Sequence, residues 1–332
     1  MTKILMYCVR DDEQPAIQAY AAAHNLTIDT NDVVLHGDTV QLAQGYDGIV
    51  IQQRGPIGDD TVYTQLASYG IHQLTTRTAG VDTINLDAAA AAGLTVTNVP
   101  AYSPRSVAEH ALMSIFRILR QSPLIDARVR NNNFDFNGLQ AKEIHSTTIG
   151  IIGAGRIGGT LAQMLHLLGA KVLAYDVQER DDLRDIVTYT TKAKVLEQSD
   201  VVSLHVDLNP TSTGLIGADD LKLMQPTSGL VNASRGPVVD TAALITALKN
   251  HELAMAALDT VEGEAAVFTR DLSKVGLDAT PQIKELNAMD NVILTPHIGF
   301  YTNIAVQNMV DIALDDVLAV LNGEQPKNAI SR

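Results

Sequence analysis

The chain of 332 residues carries a single cysteine, Cys8. No internal disulfide can form, which fits a reducing cytoplasm. Cys8 falls inside the first predicted strand and reads as a small buried hydrophobe rather than a nucleophile. Basic residues are also scarce. Lys and Arg number 24 against 38 Asp and Glu, a net charge of −14. That balance argues against nucleic acid or an anionic membrane surface as partner. It does not exclude an anionic substrate, because a pocket can carry its own arginine. No apolar run approaches the ~20 residues of a membrane span. The N-terminus lacks the basic-then-apolar pattern of a signal peptide, and there is no low-complexity tract or short-period repeat. No Cys/His cluster has zinc spacing and no Ser-His-Asp arrangement is suggested, so no metal is expected. What is present is enough length for two ordinary domains, with 46% hydrophobic residues to fill their cores.

Strand and helix patterns alternate along the chain. In the first hundred residues, strands are predicted at 3–8, 48–51, 72–75 and 95–97, with helices at about 13–24, 59–68 and 86–92. This alternation predicts an α/β fold with a doubly wound parallel sheet and helices on both faces. After the strand at 72–75 comes Arg77-Thr-Ala-Gly80-Val-Asp82, where glycine at a strand's carboxyl end lets backbone N–H groups face a ligand. Ser103-Pro104 opens a helix to about residue 120, with an apolar stripe wide enough to bridge domains or subunits. Beyond residue 176, strands are predicted at 200–205, 229–233, 254–258 and 292–294, with helices at 241–248 and 302–321. Residues 264–287 read as irregular and polar. The last helix must pack through Ile304, Met309, Ile312, Val317 and Val320.

Residues 147–176 carry the clearest chemical message. A β-branched apolar run is followed at once by Gly153-Ala-Gly155-Arg156-Ile157-Gly158, which opens a helix stopped by Gly169. A second apolar strand ends in Asp176, 18 residues beyond Gly158. Gly153 permits the tight turn, Gly155 lets a pyrophosphate approach, and Gly158 lets the helix pack on the strand. The helix N-terminus offers N–H groups to the phosphates, and Asp176 can hold a ribose diol. A carboxylate there repels a 2′-phosphate, and Val177 and Gln178 supply no arginine, so NAD is expected rather than NADP; Arg180 lies nearby.

Three residues stand at the strand ends of this unit with a shared chemistry. Arg235 follows Leu-Val-Asn-Ala233-Ser234, Glu264 follows the strand ending Leu258-Asp259, and His297 follows Ile-Leu-Thr-Pro296. An arginine grips a carboxylate with two donors. A histidine exchanges a proton near neutral pH, and a carboxylate orients it. Beside a nicotinamide, such a set suits hydride transfer between a 2-oxo acid and its 2-hydroxy acid. Of the other histidines, His205 ends a strand and is expected to line the cofactor pocket. His110 reads as a polar residue of the bridging helix, and the rest as surface residues.

These motifs, with Asn98-Val-Pro-Ala-Tyr102-Ser-Pro104 and Thr295-Pro-His-Ile-Gly-Phe300-Tyr301, resemble the NAD-dependent D-2-hydroxyacid dehydrogenases nearly end to end. The likeness is greatest to the bacterial D-lactate and D-2-hydroxyisocaproate enzymes. The resemblance implies two Rossmann-like domains with a cleft between them that closes on binding. It divides the chain into a substrate domain of residues 1–101 plus 300–332 and an NAD domain of residues 102–299, and implies a homodimer. It assigns the carboxylate and carbonyl to Arg235, the acid/base role to His297, and the partner role to Glu264. It places Arg156, Ile157, Asp176, His205, Val206, Ala233, Ser234, Arg235 and Asp259 around NAD. Ala79, Gly80, Tyr102 and Phe300 fall around the substrate. Ile51 stands where lactate-preferring members tend to carry an aromatic residue, so branched or aromatic 2-oxo acids are expected ahead of pyruvate. The competing readings are a D-lactate dehydrogenase, a phosphoglycerate-type dehydrogenase and a non-enzymatic NAD sensor.

Overall fold

The computed structural model describes residues 2–330 except Arg54 and Ala279. It divides into two compact units, which part between Ser103 and Pro104 and again between Phe300 and Tyr301. Tyr102 thus belongs to the unit formed by both chain ends, and Phe300 to the central one.

The terminal unit holds strands β1 (Lys3–Met6), β2 (Thr27–Thr30), β3 (Gly48–Ile51), β4 (Gln73–Thr76) and β5 (Thr95–Thr97). They form a parallel sheet in the order β2-β1-β3-β4-β5. Helices α1 (Gln14–His24), α2 (Thr61–Ser68) and α3 (Leu86–Ala91) come from its first segment. Side chains alternate between the two faces along β1 and β3, as a period of two requires. Leu5, Ile49 and Ile51 join one core with Val62, Leu66 and Ala89. Ile4, Met6 and Val50 join the other. The sheet is covered on both faces, which is why β3 is apolar throughout. The polar strand β4 is also fully buried. Its Thr75 hydroxyl pairs with Thr97 at 2.7 Å and its Thr76 hydroxyl with Thr78 at 2.8 Å, whereas the buried Gln73 Nε2 has no partner among the described residues.

The central unit contains β6 (Thr148–Ile152), β7 (Lys171–Tyr175), β8 (Thr188–Tyr189), β9 (Val201–Leu204), β10 (Gly229–Asn232), β11 (Met255–Leu258) and β12 (Val292–Leu294). They run parallel in the order β12-β11-β10-β9-β6-β7-β8. Helices α4 (Pro104–Leu119), α5 (Ser122–Arg130), α6 (Arg156–Leu167), α7 (Lys192–Gln198), α8 (Ala218–Leu223), α9 (Thr241–Lys249) and α10 (Pro281–Asn287) belong to it. The wide stripe of α4 is spent inside this unit. Ala108, Ala111, Ile115 and Ile118 share a core with Leu161, Ala162 and Leu165 of α6.

Several elements differ from expectation for identifiable reasons. The first strand stops at Met6, and Cys8 beyond it turns left-handed at φ 55°. Burial raises the Cys8 thiol to about 11, so it is protonated at neutral pH. The edge strand β2 and the helix α5 bury too little to leave a clear apolar pattern; in α5 only Pro123 is buried. Residues 264–287, expected to be irregular, contain α10, anchored by Ile283 and Leu286 alone. The last helix, α11 (Asn303–Leu321), buries Val310, Leu314 and Val317 in the core of the terminal unit, and Met309 is buried too, but its Ile304 is 62% exposed. No helix among the described residues is long and apolar enough to cross a membrane.

Candidate active site

The strand order of the central sheet fixes what its carboxyl edge presents. Read along that edge, β12 leads to His297, β11 to Asp259 and Glu264, β10 to Arg235, β9 to His205, β6 to the glycine turn and β7 to Asp176. The chain reverses its direction of winding between β6 and β9, the position at which open α/β sheets bind ligands.

The cofactor side has the geometry of a nucleotide-binding turn. Gly153 sits at φ +93°, and a Cβ there would lie 2.5 Å from the carbonyl oxygen of His205. A Cβ on Gly158 would meet the Gly153 carbonyl at 2.0 Å, so the helix lies directly on the turn. Gly155 faces open space. It precedes the N-terminus of α6, where Arg156 is exposed and Ile157 half-buried. The turn is therefore closed below and open above, as a diphosphate requires. Asp176 holds the turn through Ala154 N at 2.6 Å and accepts Gln178 N at 3.0 Å, with carboxylate lone pairs remaining. Arg180 donates to the Gly155 carbonyl at 2.7 Å and pairs with Asp182 through two nitrogens. Its charge is thus already engaged. His205 Nε2 pairs with the Ser203 hydroxyl at 2.8 Å, whereas its buried Nδ1 has no partner among the described residues. Burial lowers this histidine to about 4, leaving it neutral. Val206 packs over Gly153, and Ala233 and Ser234 are buried after β10. These residues fit a bound dinucleotide.

The other half of the edge is organised around His297. Its Nδ1 lies 2.5 Å from Glu264 Oε1, and Glu264 Oε2 accepts Val261 N at 2.9 Å. The carboxylate is therefore held before it holds the histidine, and the ring presents Nε2 outward. His297 occupies a left-handed backbone position, φ 55°, uncommon for a residue with a Cβ. Its ring meets Phe300 edge to face at 6.4 Å. Arg235 extends from a loop stiffened by Asn232, whose side chain accepts from Ser234 and donates to the Arg235 carbonyl at 3.0 Å. Gly236 follows because a Cβ there would lie 2.2 Å from the Val261 carbonyl carbon. The arginine loop is thereby pressed onto the segment that leads to Glu264.

In the terminal unit the expected substrate contacts divide. The Ala79 carbonyl accepts from Asn98 Nδ2 and the Gly80 carbonyl from Thr78 Oγ1, each at 2.7 Å. A trans peptide points its N–H away from its carbonyl, so the first bond fixes where the Gly80 N–H aims and the second where the Val81 N–H aims. Tyr102 is half-buried, its carbonyl held by Asn308 at 2.6 Å. Ile51 requires a correction. It is 0% exposed and packed inside the core with Leu5, Tyr7 and Leu66, so it lines no pocket. The half-buried residue at this strand end is Gln52, hydrogen-bonded to Arg10. Position within a short apolar run did not reveal which residue left the sheet. Sequence reading also missed the ion pair of Arg77 and Glu13. Both are 0% exposed and 2.9 Å apart, and Arg77 also donates to the carbonyls of Tyr7 and Cys8. Only a buried environment distinguishes this pair from surface charges.

The dinucleotide turn at the winding reversal, on the same sheet edge as a carboxylate-held histidine, defines an NAD-dependent α/β dehydrogenase. The family described as "D-isomer specific 2-hydroxyacid dehydrogenase, NAD binding domain" matches residues 112–299. The chain is 52% identical to a solved D-lactate dehydrogenase from Sporolactobacillus sp, with a TM-score of 0.88 over 100% of this chain and 99% of that one. It is 38% identical to the D-isomer specific 2-hydroxyacid dehydrogenase of Lactobacillus delbrueckii ssp. bulgaricus solved with NAD, with a TM-score of 0.89 over 99% and 100% of the two chains. An aromatic 2-oxoacid reductase from Clostridium sporogenes is 37% identical over 94% of each chain. The chain belongs to the D-2-hydroxyacid dehydrogenase family and binds NAD.

Proposed function

We propose that the chain reduces pyruvate to D-lactate, with Arg235, Glu264 and His297 as its working residues. The Glu264–His297 contact at 2.5 Å carries the reading. The reduced cofactor, when bound, supplies the hydride that adds to the carbonyl carbon. Arg235 binds the substrate carboxylate and polarises the carbonyl. His297 gives the proton that the carbonyl oxygen takes up, and Glu264 keeps the ring aimed and balances its charge. Ala79 and Gly80 hold the carboxylate through N–H groups, and Tyr102 and Phe300 bound the substrate. Pyruvate is favoured because Ile51, the position expected to leave room for larger acids, is buried, and because the 52% identical relative is named a D-lactate dehydrogenase. The second reading, branched or aromatic 2-oxo acids, draws support from the Clostridium reductase. In either case Gln52, at the carboxyl end of β3 where the terminal sheet reverses its winding, is the side chain that limits substrate size. The protein acts in the cytoplasm as a homodimer, with Phe134 and Phe136, 75% and 82% exposed, as candidates for the contact. The test is kcat/KM with NADH for pyruvate, 2-oxoisocaproate and phenylpyruvate, with chiral chromatography of each product. D-lactate formed with the highest efficiency is expected. An L-product, or no turnover of any 2-oxo acid, would overturn the reading.

A further inference from the structure

We infer that His110 is a positioning residue for His297, acting through Thr295 and Asp259. This rests on the reading of His297 as proton donor. His110 lies on α4, whose neighbours Ala108 and Ala111 are fixed in the core. Its side chain is 11% exposed and that of Asp259 is 4% exposed. The Thr295 hydroxyl lies 2.6 Å from Asp259 Oδ1, and His110 Nε2 lies 3.1 Å from the same hydroxyl and 3.4 Å from the same carboxylate oxygen. The direction of the chain follows from its chemistry. A carboxylate only accepts, so Thr295 spends its one proton on Asp259 and must accept from His110. Nε2 of His110 therefore carries a proton.

Asp259 gathers the whole turn that bears His297. Its Oδ1 accepts Ile298 N at 3.0 Å, its Oδ2 accepts Gly299 N at 2.8 Å, and its main-chain oxygen accepts His297 N at 2.9 Å. The turn is pressed against both side chains. A Cβ on Gly299 would stand 2.9 Å from Asp259 Oδ2 and 3.4 Å from His110 Cγ. Within this turn His297 keeps its left-handed backbone, a conformation that persists only when its surroundings determine it. Asp259 supplies the grip, and His110 ties that grip to a rigid helix. The donor thus fixes the aim of the imidazole without touching substrate. A displacement of about 1 Å at a reacting group costs on the order of 100-fold in rate.

The test compares His110→Leu, which removes the donor, with His110→Gln, which replaces Nε2 by an amide N–H of similar reach. His110→Leu should lower kcat by roughly 10- to 100-fold, with KM for pyruvate and the Kd for NADH within about twofold of wild type. His110→Gln should recover to within about threefold. Thr295→Val breaks the same relay and should resemble His110→Leu, whereas Thr295→Ser should not. The double variant should be no worse than either single one. If His110→Leu does not fold, the Thr295 pair decides the matter. Wild-type kcat in His110→Leu or in Thr295→Val would overturn the inference, as would a His110→Gln as impaired as His110→Leu. His297→Gln, assayed alongside, separates the two readings, because full activity there removes the proton-donor role whatever His110 does.

Discussion

Replacing Ile51 with tyrosine separates core from pocket. Ile51 is 0% exposed in a core with Tyr7, Ile49, Leu66 and Leu74. A tyrosine there adds a ring to a filled space, at a cost of about 1–3 kcal/mol. It also buries a hydroxyl, at a further ~1–3 kcal/mol if no partner is found. The expected loss is therefore about 2–6 kcal/mol, a large share of the ~5–15 kcal/mol that holds a domain together. Gln52→Tyr loses only the half-buried contact with Arg10 and should cost about 1 kcal/mol. Substrate preference should respond in the opposite sense. Ile51→Tyr should change the ratio of kcat/KM for 2-oxoisocaproate over pyruvate by less than about threefold. Gln52→Tyr should lower it by roughly tenfold or more, within the discrimination a few methylenes allow. Urea unfolding followed by circular dichroism gives the stabilities, since the chain has no tryptophan to report them. An Ile51→Tyr protein of wild-type stability whose ratio falls by roughly tenfold would refute the reasoning.

Three further outcomes are expected. Glu13→Ala strands the Arg77 guanidinium, 0% exposed, and should destabilise the terminal unit by about 3–5 kcal/mol, measured by urea unfolding; unchanged stability would mean the pair is dispensable. His205 is lowered to about 4 in the folded state, so the unfolded chain takes up the proton first as pH falls. Stability should drop between about pH 6.5 and 4, by up to ~3 kcal/mol, and His205→Asn should flatten that decline in denaturation curves. NADH should bind at least about tenfold more tightly than NADPH, because the Asp176 carboxylate follows β7 against the glycine turn and Arg180 is committed to Asp182; equal Kd values by cofactor fluorescence would contradict this.

Much of this molecule was legible because the decisive residues sit where a pattern changes. The glycine turn lies between a strand and a helix, and Arg235 and His297 follow apolar runs that end abruptly. Period and spacing expose such places. Parallel sheets also gather strand ends on one edge, so alternation alone predicted that these residues would lie along a common line. Ile51 shows the limit. Its neighbour Gln52 lies one residue away, and only the three-dimensional path of β3 tells which side chain enters the core. The Arg77–Glu13 pair and the His110–Thr295–Asp259 chain were hidden for another reason. Their partners are 64 and 185 residues apart, and no local pattern records such contacts.

Proton donation by His297, held by Glu264, is the step on which the proposed reduction of a 2-oxo acid depends. The most direct measurement is kcat for pyruvate reduction by His297→Gln, with the Kd for NADH determined on the same protein by cofactor fluorescence. kcat should fall by roughly 10²- to 10⁴-fold with NADH binding little changed. Wild-type turnover in that variant would contradict it.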